Sequence, residues 1–147
     1  MNYRYVRFGA VLAVVGMLAL AQQTAKPEVR YATITGAGGI EGTAVIMTLP
    51  SGEHKIFVQV EGLKPGSGVY ANHIHYNDKG DANCAAQNGN KLLGLTNLTA
   101  DDKGYAVAFT EVPASVKYPA GTTYVNIHSN NPQPVGASIA CGMVEMK

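Results

Sequence analysis

Alternating apolar and polar positions divide most of the chain into short runs that predict β-strands. In residues 55–60, for example, Ile56, Val58 and Val60 occupy every second position. Residues two apart on a strand share a face, so these three side chains are expected to point into a core. Comparable runs occupy residues 29–35, 42–49, 55–60, 69–75, 92–98, 105–112, 122–128 and 139–146, separated by turn-forming residues. Eight short runs of this kind predict an all-β sandwich or barrel.

The first 21 residues have the pattern of a secretory signal peptide. Arg4 and Arg7 precede an apolar run at 8–21, whose 14 residues are too few for a good membrane span. The run ends in the small-x-small sequence Ala19-Leu20-Ala21 without a following cysteine, so a lipoprotein anchor is not expected. We predict a signal peptide at 1–21, a disordered lead-in at 22–28 and one domain at 29–147. This chain would be exported to the periplasm or cell envelope of a bacterium; an uncleaved membrane anchor is the alternative.

The predicted mature chain has a net charge close to zero. The whole chain has 11 Lys and Arg against 10 Asp and Glu, and cleavage would remove Arg4 and Arg7. No basic cluster remains, so a nucleic acid is not expected as a partner. No membrane partner is expected after signal cleavage. The low charge also predicts little electrostatic steering of a small anion.

The four histidines are the clearest candidates for chemistry. His73 and His75 lie two apart on a predicted strand, so both imidazoles should share a face while Ile74 turns to the core. His128 ends another predicted strand on its outer face. If the two strands are neighbours, three imidazoles converge into a site that suits copper or zinc; otherwise His73 and His75 are two surface histidines. His54 follows a turn between charged residues and is expected to be exposed and outside the site.

The chain has two cysteines, Cys84 and Cys141. An even pair in an exported chain favours a disulfide, which would close a loop of 57 residues. The alternative is a pair of thiolates that join the histidines around zinc, although the Cys-x-x-Cys spacing typical of such sites is absent.

Four segments resemble the copper,zinc superoxide dismutase family. Residues 73–84 resemble its H-x-H…G-D…C segment, and residues 95–104 resemble its L-x-N-[VL]-T-A-D-x-x-G hairpin. Residues 124–128 resemble the strand with its last copper histidine, and residues 140–144 resemble its A-C-G-[VI]-I ending. The likeness covers roughly residues 29–146 in the family's order. A chordin-type domain is a more distant resemblance, and such domains are not generally dismutases.

The resemblance implies an eight-stranded Greek-key β-barrel or sandwich that holds one copper ion per chain. It implies His73, His75 and His128 as copper ligands and a disulfide between Cys84 and Cys141. It also implies superoxide as the substrate, converted to oxygen and hydrogen peroxide in an antioxidant role, and it leaves a homodimer open. The residues expected beside the ligands are Tyr76, Tyr124 and Asn126.

The chain departs from that family where the family binds zinc. Residues 85–94 contain no His, Asp or Glu, so neither a zinc site nor a bridging imidazole is expected there. The remaining copper ligand would be water or a side-chain oxygen of Gln87, Asn88 or Asn90. Ser138 occupies the position of the family's anion-guiding arginine, and the loop 129–137 is short and uncharged.

Three functions are compatible with these features. The first is a copper-only superoxide dismutase, and the second is a copper storage or carrier protein with little or no dismutase activity. The third is a structural or adhesion module that has lost its metal. The missing arginine favours the second function, whereas the three histidines and the cysteine pair count against the third. No single apolar patch marks a dimer surface in the sequence.

Overall fold

The computed structural model describes residues 25–129 and 136–146, and across them the protein is all-β, without a helix. The predicted signal peptide, residues 22–24 of the lead-in and residues 130–135 of the uncharged loop lie outside the described residues. In the part described, no helix is long and apolar enough to span a membrane. The strands are β1 Glu28–Gly36, β2 Glu41–Thr48, β3 His54–Glu61, β4 Gly68–Tyr70, β5 Asn72–Tyr76, β6 Lys91–Gly94, β7 Leu98–Ala100, β8 Ala106–Val112, β9 Tyr124–His128 and β10 Ser138–Met146.

Eight of these strands form one curled antiparallel sheet in the order β6-β5-β9-β10-β1-β2-β3-β8. β1, β2 and β3 follow one another as a meander, while β5 and β9 are neighbours although they lie far apart in the chain. This pairing matters for the site, because it aligns residues 72–75 with residues 124–127.

Two of the predicted strands are each divided in two. The predicted strand 69–75 is interrupted at Ala71, and the predicted strand 92–98 leaves the main sheet after Gly94. The separated pieces, β4 and β7, pair with each other in a two-stranded sheet. The break is stabilised by packing, since Leu95 is 9% exposed and Leu98 is fully buried in the core. The described residues therefore form ten strands where alternation alone predicts eight.

The segment between β6 and β7 brings the two edges of the main sheet together. Thr96 donates its backbone N–H to the hydroxyl of Thr110 on β8 at 2.8 Å and its own hydroxyl to the carbonyl of Phe109 at 2.8 Å. On its other side, buried Asn72 of β5 donates its side-chain amide to the carbonyl of Thr96 at 2.5 Å. These bonds hold the sheet in its curled form around the core.

The core lies on the concave side of this sheet and consists of branched aliphatic side chains. The alternation predicted for β3 is confirmed, because Ile56, Val58 and Val60 are at most 1% exposed. Burial of such side chains supplies the main stabilisation of a small all-β domain. The other large aliphatic residues that are fully buried are Ile34, Ile46, Ile74, Leu98, Val125 and Ile127.

Candidate metal centre

The pairing of β5 with β9 brings together three of the predicted site residues. His73 and His75 project from the outer face of β5, and Ile74 between them is fully buried on the inner face. His128 ends β9 and lies beside them. One potential ligand atom from each imidazole lies within 4.8 Å of the other two. The sequence predicted that the three imidazoles converge if their two strands are neighbours. The strands are neighbours, and the imidazoles do converge.

The three rings present nitrogen atoms toward one another. The Nε2 atoms of His75 and His128 are 3.4 Å apart, and the ring centroids of His73 and His128 are 5.0 Å apart. The Nδ1 atoms of His73 and His75 are buried without a hydrogen-bond partner among the described residues. His128 differs, because its Nδ1 lies 2.9 Å from the carbonyl of Gly136. An N–H donated at Nδ1 leaves the Nε2 lone pair of His128 free to bind a metal.

The surroundings of His73 and His75 favour the neutral form of both imidazoles. Burial, followed by the positive fields of His128 and His75, lowers the pKa of His73 to about 4. Burial is also the main reason that the pKa of His75 is lowered. The backbone of Gly89 raises this pKa, and the positive field of His128 lowers it. A neutral imidazole is the form that binds a metal ion, so these residues are ready ligands near neutral pH. Three close nitrogen donors, two of them with an orphaned buried atom, could hold a metal ion.

Residues 87–89 cover one side of the histidine cluster, and we call them the strap. The backbone N–H of Gly89 donates to the hydroxyl of Tyr124 at 3.2 Å. The ring of Tyr124 is stacked on His75, with centroids 5.2 Å apart and planes 10° apart. A Cβ atom on Gly89 would lie 2.7 Å from the Cβ of His75, so only glycine allows this approach. The strap thereby fixes Tyr124, which in turn restricts the orientation of His75.

Gln87, at the other end of the strap, contacts Asn126, the residue that pairs with His73. Asn126 is fully buried and lies directly opposite His73 in the β5–β9 ladder. Its amide nitrogen donates to the side-chain oxygen of Gln87 at 3.0 Å, and its own oxygen accepts a hydrogen bond from the hydroxyl of Ser138. Gln87 is the one non-glycine residue of the described part with a left-handed backbone, at φ 48°. Its side chain also donates to the carbonyl of Cys84 at 2.7 Å, which helps to hold this unfavourable conformation.

The side-chain oxygens proposed as a fourth ligand are engaged elsewhere. The oxygen of Gln87 accepts from Asn126, and that of Asn88 accepts the backbone N–H of Asn83 at 2.6 Å. The oxygen of Asn90 accepts the backbone N–H of Asp78 at 3.3 Å. These amides order the loop that precedes β6, so they are not placed as free metal ligands.

The two cysteines form a disulfide, with their Cα atoms 5.9 Å apart. This bond excludes the alternative in which both thiolates bind zinc. It connects the loop that carries the strap to β10, which lies beside β9 in the sheet. A disulfide fits an extracellular or otherwise oxidising compartment.

Two predicted neighbours of the ligands, Tyr124 and Asn126, lie beside the cluster. The strap and its loop cover them, so that Tyr124 is 1% exposed. Tyr76 follows His75 on β5, and alternation places its side chain on the opposite face from His75. Sequence reasoning missed the roles of Gln87 and Gly89, for which the only signal was a glycine flanked by asparagines.

The fourth histidine is separate from the cluster, as predicted, but the expectation that it is exposed is wrong. His54 is 6% exposed, its Nδ1 lies 3.0 Å from the hydroxyl of Thr48, and its ring contacts Tyr118 with centroids 5.1 Å apart. Burial, followed by the charge of Arg30, lowers the pKa of His54.

A comparison with protein-family models gives no match to this chain, and a comparison with curated proteins gives none either.

Proposed function

We propose that this protein is a copper-only superoxide dismutase of the cell envelope. The observation that carries the proposal is the cluster of three close imidazoles beside a loop, residues 85–94, that offers no zinc ligand. The resemblance of four segments to the copper,zinc superoxide dismutases supplies the identity of the metal and the substrate. The disulfide between Cys84 and Cys141 supports an oxidising compartment, which fits export by a signal peptide at 1–21.

The sheet order supports a Greek-key barrel of the dismutase type. β3 and β8 are neighbours in the sheet although β4 to β7 lie between them in the chain. A long return connection of this kind is characteristic of Greek keys. Thr96 closes the gap between the sheet edges, as a barrel requires.

Copper suits this set of ligands because neutral imidazoles bind both of its oxidation states. When bound, copper would supply a one-electron couple through which one superoxide is oxidised to oxygen and a second, with two protons, is reduced to hydrogen peroxide. The residues of the chain orient the site: the carbonyl of Gly136 sets the tautomer of His128, and Tyr124 restricts the ring of His75. The strap excludes water from one side of the cluster. With three imidazole ligands, a bound copper ion would keep a coordination position open for a small anion.

A direct test measures superoxide decay by pulse radiolysis with purified, disulfide-bonded protein that carries one copper ion. Rapid catalytic decay is expected, and replacement of a ligand in His128→Ala should reduce it to background when a chelator removes unbound copper, which itself catalyses superoxide decay. His54→Gln is the matched control, since it alters a histidine outside the cluster and should retain the activity. Tight copper binding with no decay above background would refute the proposal.

That last result would favour the second candidate, a copper storage or carrier protein. One observation supports this candidate: Ser138, at the position of the family's guiding arginine, is bonded to Asn126 and offers no positive charge. Copper affinity, measured by competition with a chelator, would then be high in a protein that has no turnover. A structural module would bind no copper in the same assay.

A further inference from the structure

The first four residues of strand β8, 106–109, have an inverted pattern of side-chain sizes. Its inward positions include Ala106 and Ala108, which are 2% and 6% exposed. The alternate, outward positions hold Val107 and Phe109, which are 47% and 51% exposed. Small residues inside and large apolar residues outside are the reverse of what a solvent-facing strand shows, since burial of large apolar side chains is the favourable process. The outer side of β8 is therefore expected to be covered.

The neighbouring strand continues this apolar area. Phe57 on β3 lies directly opposite Phe109 and is 41% exposed. Two residue pairs further along the ladder, Lys55 and Glu111 lie opposite each other and form an ion pair on the same side. We define the β3/β8 face as the outward side chains of Lys55, Phe57, Gln59, Val107, Phe109 and Glu111.

We propose that the β3/β8 face binds a second copy of this chain about a two-fold axis. The choice of a second copy rests on charge complementarity. A two-fold axis parallel to the strands and between β3 and β8 exchanges the two strands, so that Lys55 of each copy lies over Glu111 of the other. The same operation places Phe57 of each copy over Phe109 of the other. The face is thus complementary to itself in both its charged pair and its aromatic pair.

The size of the apolar area predicts a weak dimer. Stable interfaces bury about 800 Å² on each partner. Three half-exposed apolar side chains on each copy provide only part of that area, because a whole aromatic side chain buries about 150–250 Å². The dimer should therefore dissociate on dilution and form at high concentration. The proposal does not depend on copper, so it is tested with metal-free protein and stands apart from the proposed enzymatic activity.

Sedimentation analysis of the purified protein over a wide concentration range is the first measurement. A concentration-dependent shift from monomer to dimer is expected, and Phe109→Ser should shift the transition to at least tenfold higher concentration. Val69→Ser is the matched control, because Val69 is 45% exposed on β4, outside the face, and its replacement should leave the transition unchanged. A protein that stays monomeric throughout, or a Phe109→Ser variant that dimerises like the original, would overturn the proposal.

A charge-exchange experiment tests the arrangement itself. Lys55→Glu and Glu111→Lys should each lose self-association, because each places like charges across the axis. An equimolar mixture of these two variants should regain it, because one copy then carries two acidic and the other two basic side chains at these positions. Failure of the mixture to associate would overturn the two-fold arrangement. Binding of the original protein to anionic phospholipid vesicles through Phe109, without any dimer in solution, would instead assign the face to a membrane surface and overturn the proposal.

Discussion

The contact between Gly89 and His75 leads to a prediction that separates the strap from the rest of the fold. A Cβ atom on Gly89 would lie 2.7 Å from the Cβ of His75 and 3.0 Å from the hydroxyl oxygen of Tyr124. The Cβ of His75 is fixed to the backbone of β5, so Gly89→Ala must displace the strap and break the hydrogen bond to Tyr124. Overpacking costs about 1–3 kcal/mol, and the lost hydrogen bond costs about 1 kcal/mol.

Alanine also restricts the unfolded chain more than glycine does, and this effect offsets the cost by about 0.4–1 kcal/mol. We therefore expect Gly89→Ala to lower the free energy of unfolding by about 2 kcal/mol. The assay is urea unfolding of the metal-free protein, monitored by circular dichroism. A competition titration with a chelator should show copper affinity reduced about tenfold, the equivalent of about 1.4 kcal/mol, because His75 is no longer restrained.

Gly94→Ala is the control for this prediction. Gly94 lies directly opposite His73 in the β5–β6 ladder, yet a Cβ atom there would meet nothing within 4 Å. Its substitution should leave copper affinity unchanged and should not lower stability, since a smaller conformational freedom of the unfolded chain would raise the free energy of unfolding by at most about 0.4–1 kcal/mol. If both variants behave like the original, the strap does not rest on His75, and our account of how the cluster is ordered is wrong.

Two further predictions concern pH and the disulfide. The unfolded metal-free chain titrates its histidines near pH 6.5, whereas the pKa values of His54, His73 and His75 are lowered in the fold. The unfolded state thus binds more protons below pH 6.5, so stability should be highest above that pH and fall by about 1–2 kcal/mol toward pH 4; urea midpoints that are constant over this interval would contradict this. Cys84→Ser combined with Cys141→Ser should lower the free energy of unfolding by about 4 kcal/mol, the chain-entropy cost of opening this loop, and a loss below 1 kcal/mol would show that the loop is held without the bond.

The parts of the structure that sequence predicted are those governed by local alternation. His73-Ile74-His75 fixes both histidines on one face of β5, and the alternation in residues 55–60 fixes the inner face of β3. The sequence alone could not show that β5 and β9 are neighbours. Strands far apart in the chain pair in a way that depends on the arrangement of the whole sheet. The sequence therefore indicated the candidate cluster but not its geometry.

The features that sequence reasoning missed arise from contacts between distant segments. His54 lies between Glu53 and Lys55, which indicated exposure, yet Tyr118 of a later loop covers it. The outward pair of Phe57 and Phe109 was missed for the same reason, because the two residues occupy ordinary alternating positions in separate strands. Only the pairing of β3 with β8 makes them one surface. No local pattern contains that information.

The hydrogen bonds made by Thr96 also determine how copies of this protein can associate. An edge strand with free backbone groups invites another chain to add to the sheet, and such addition can continue without limit into a fibre. At β8 the carbonyl of Phe109 is already bonded to Thr96, so this point of the edge is closed to strand addition. Association would then be directed to the outer side of the sheet, where the two-fold arrangement that we propose is complete with two copies. The residue that curls the sheet thus also favours a finite assembly over an open-ended one.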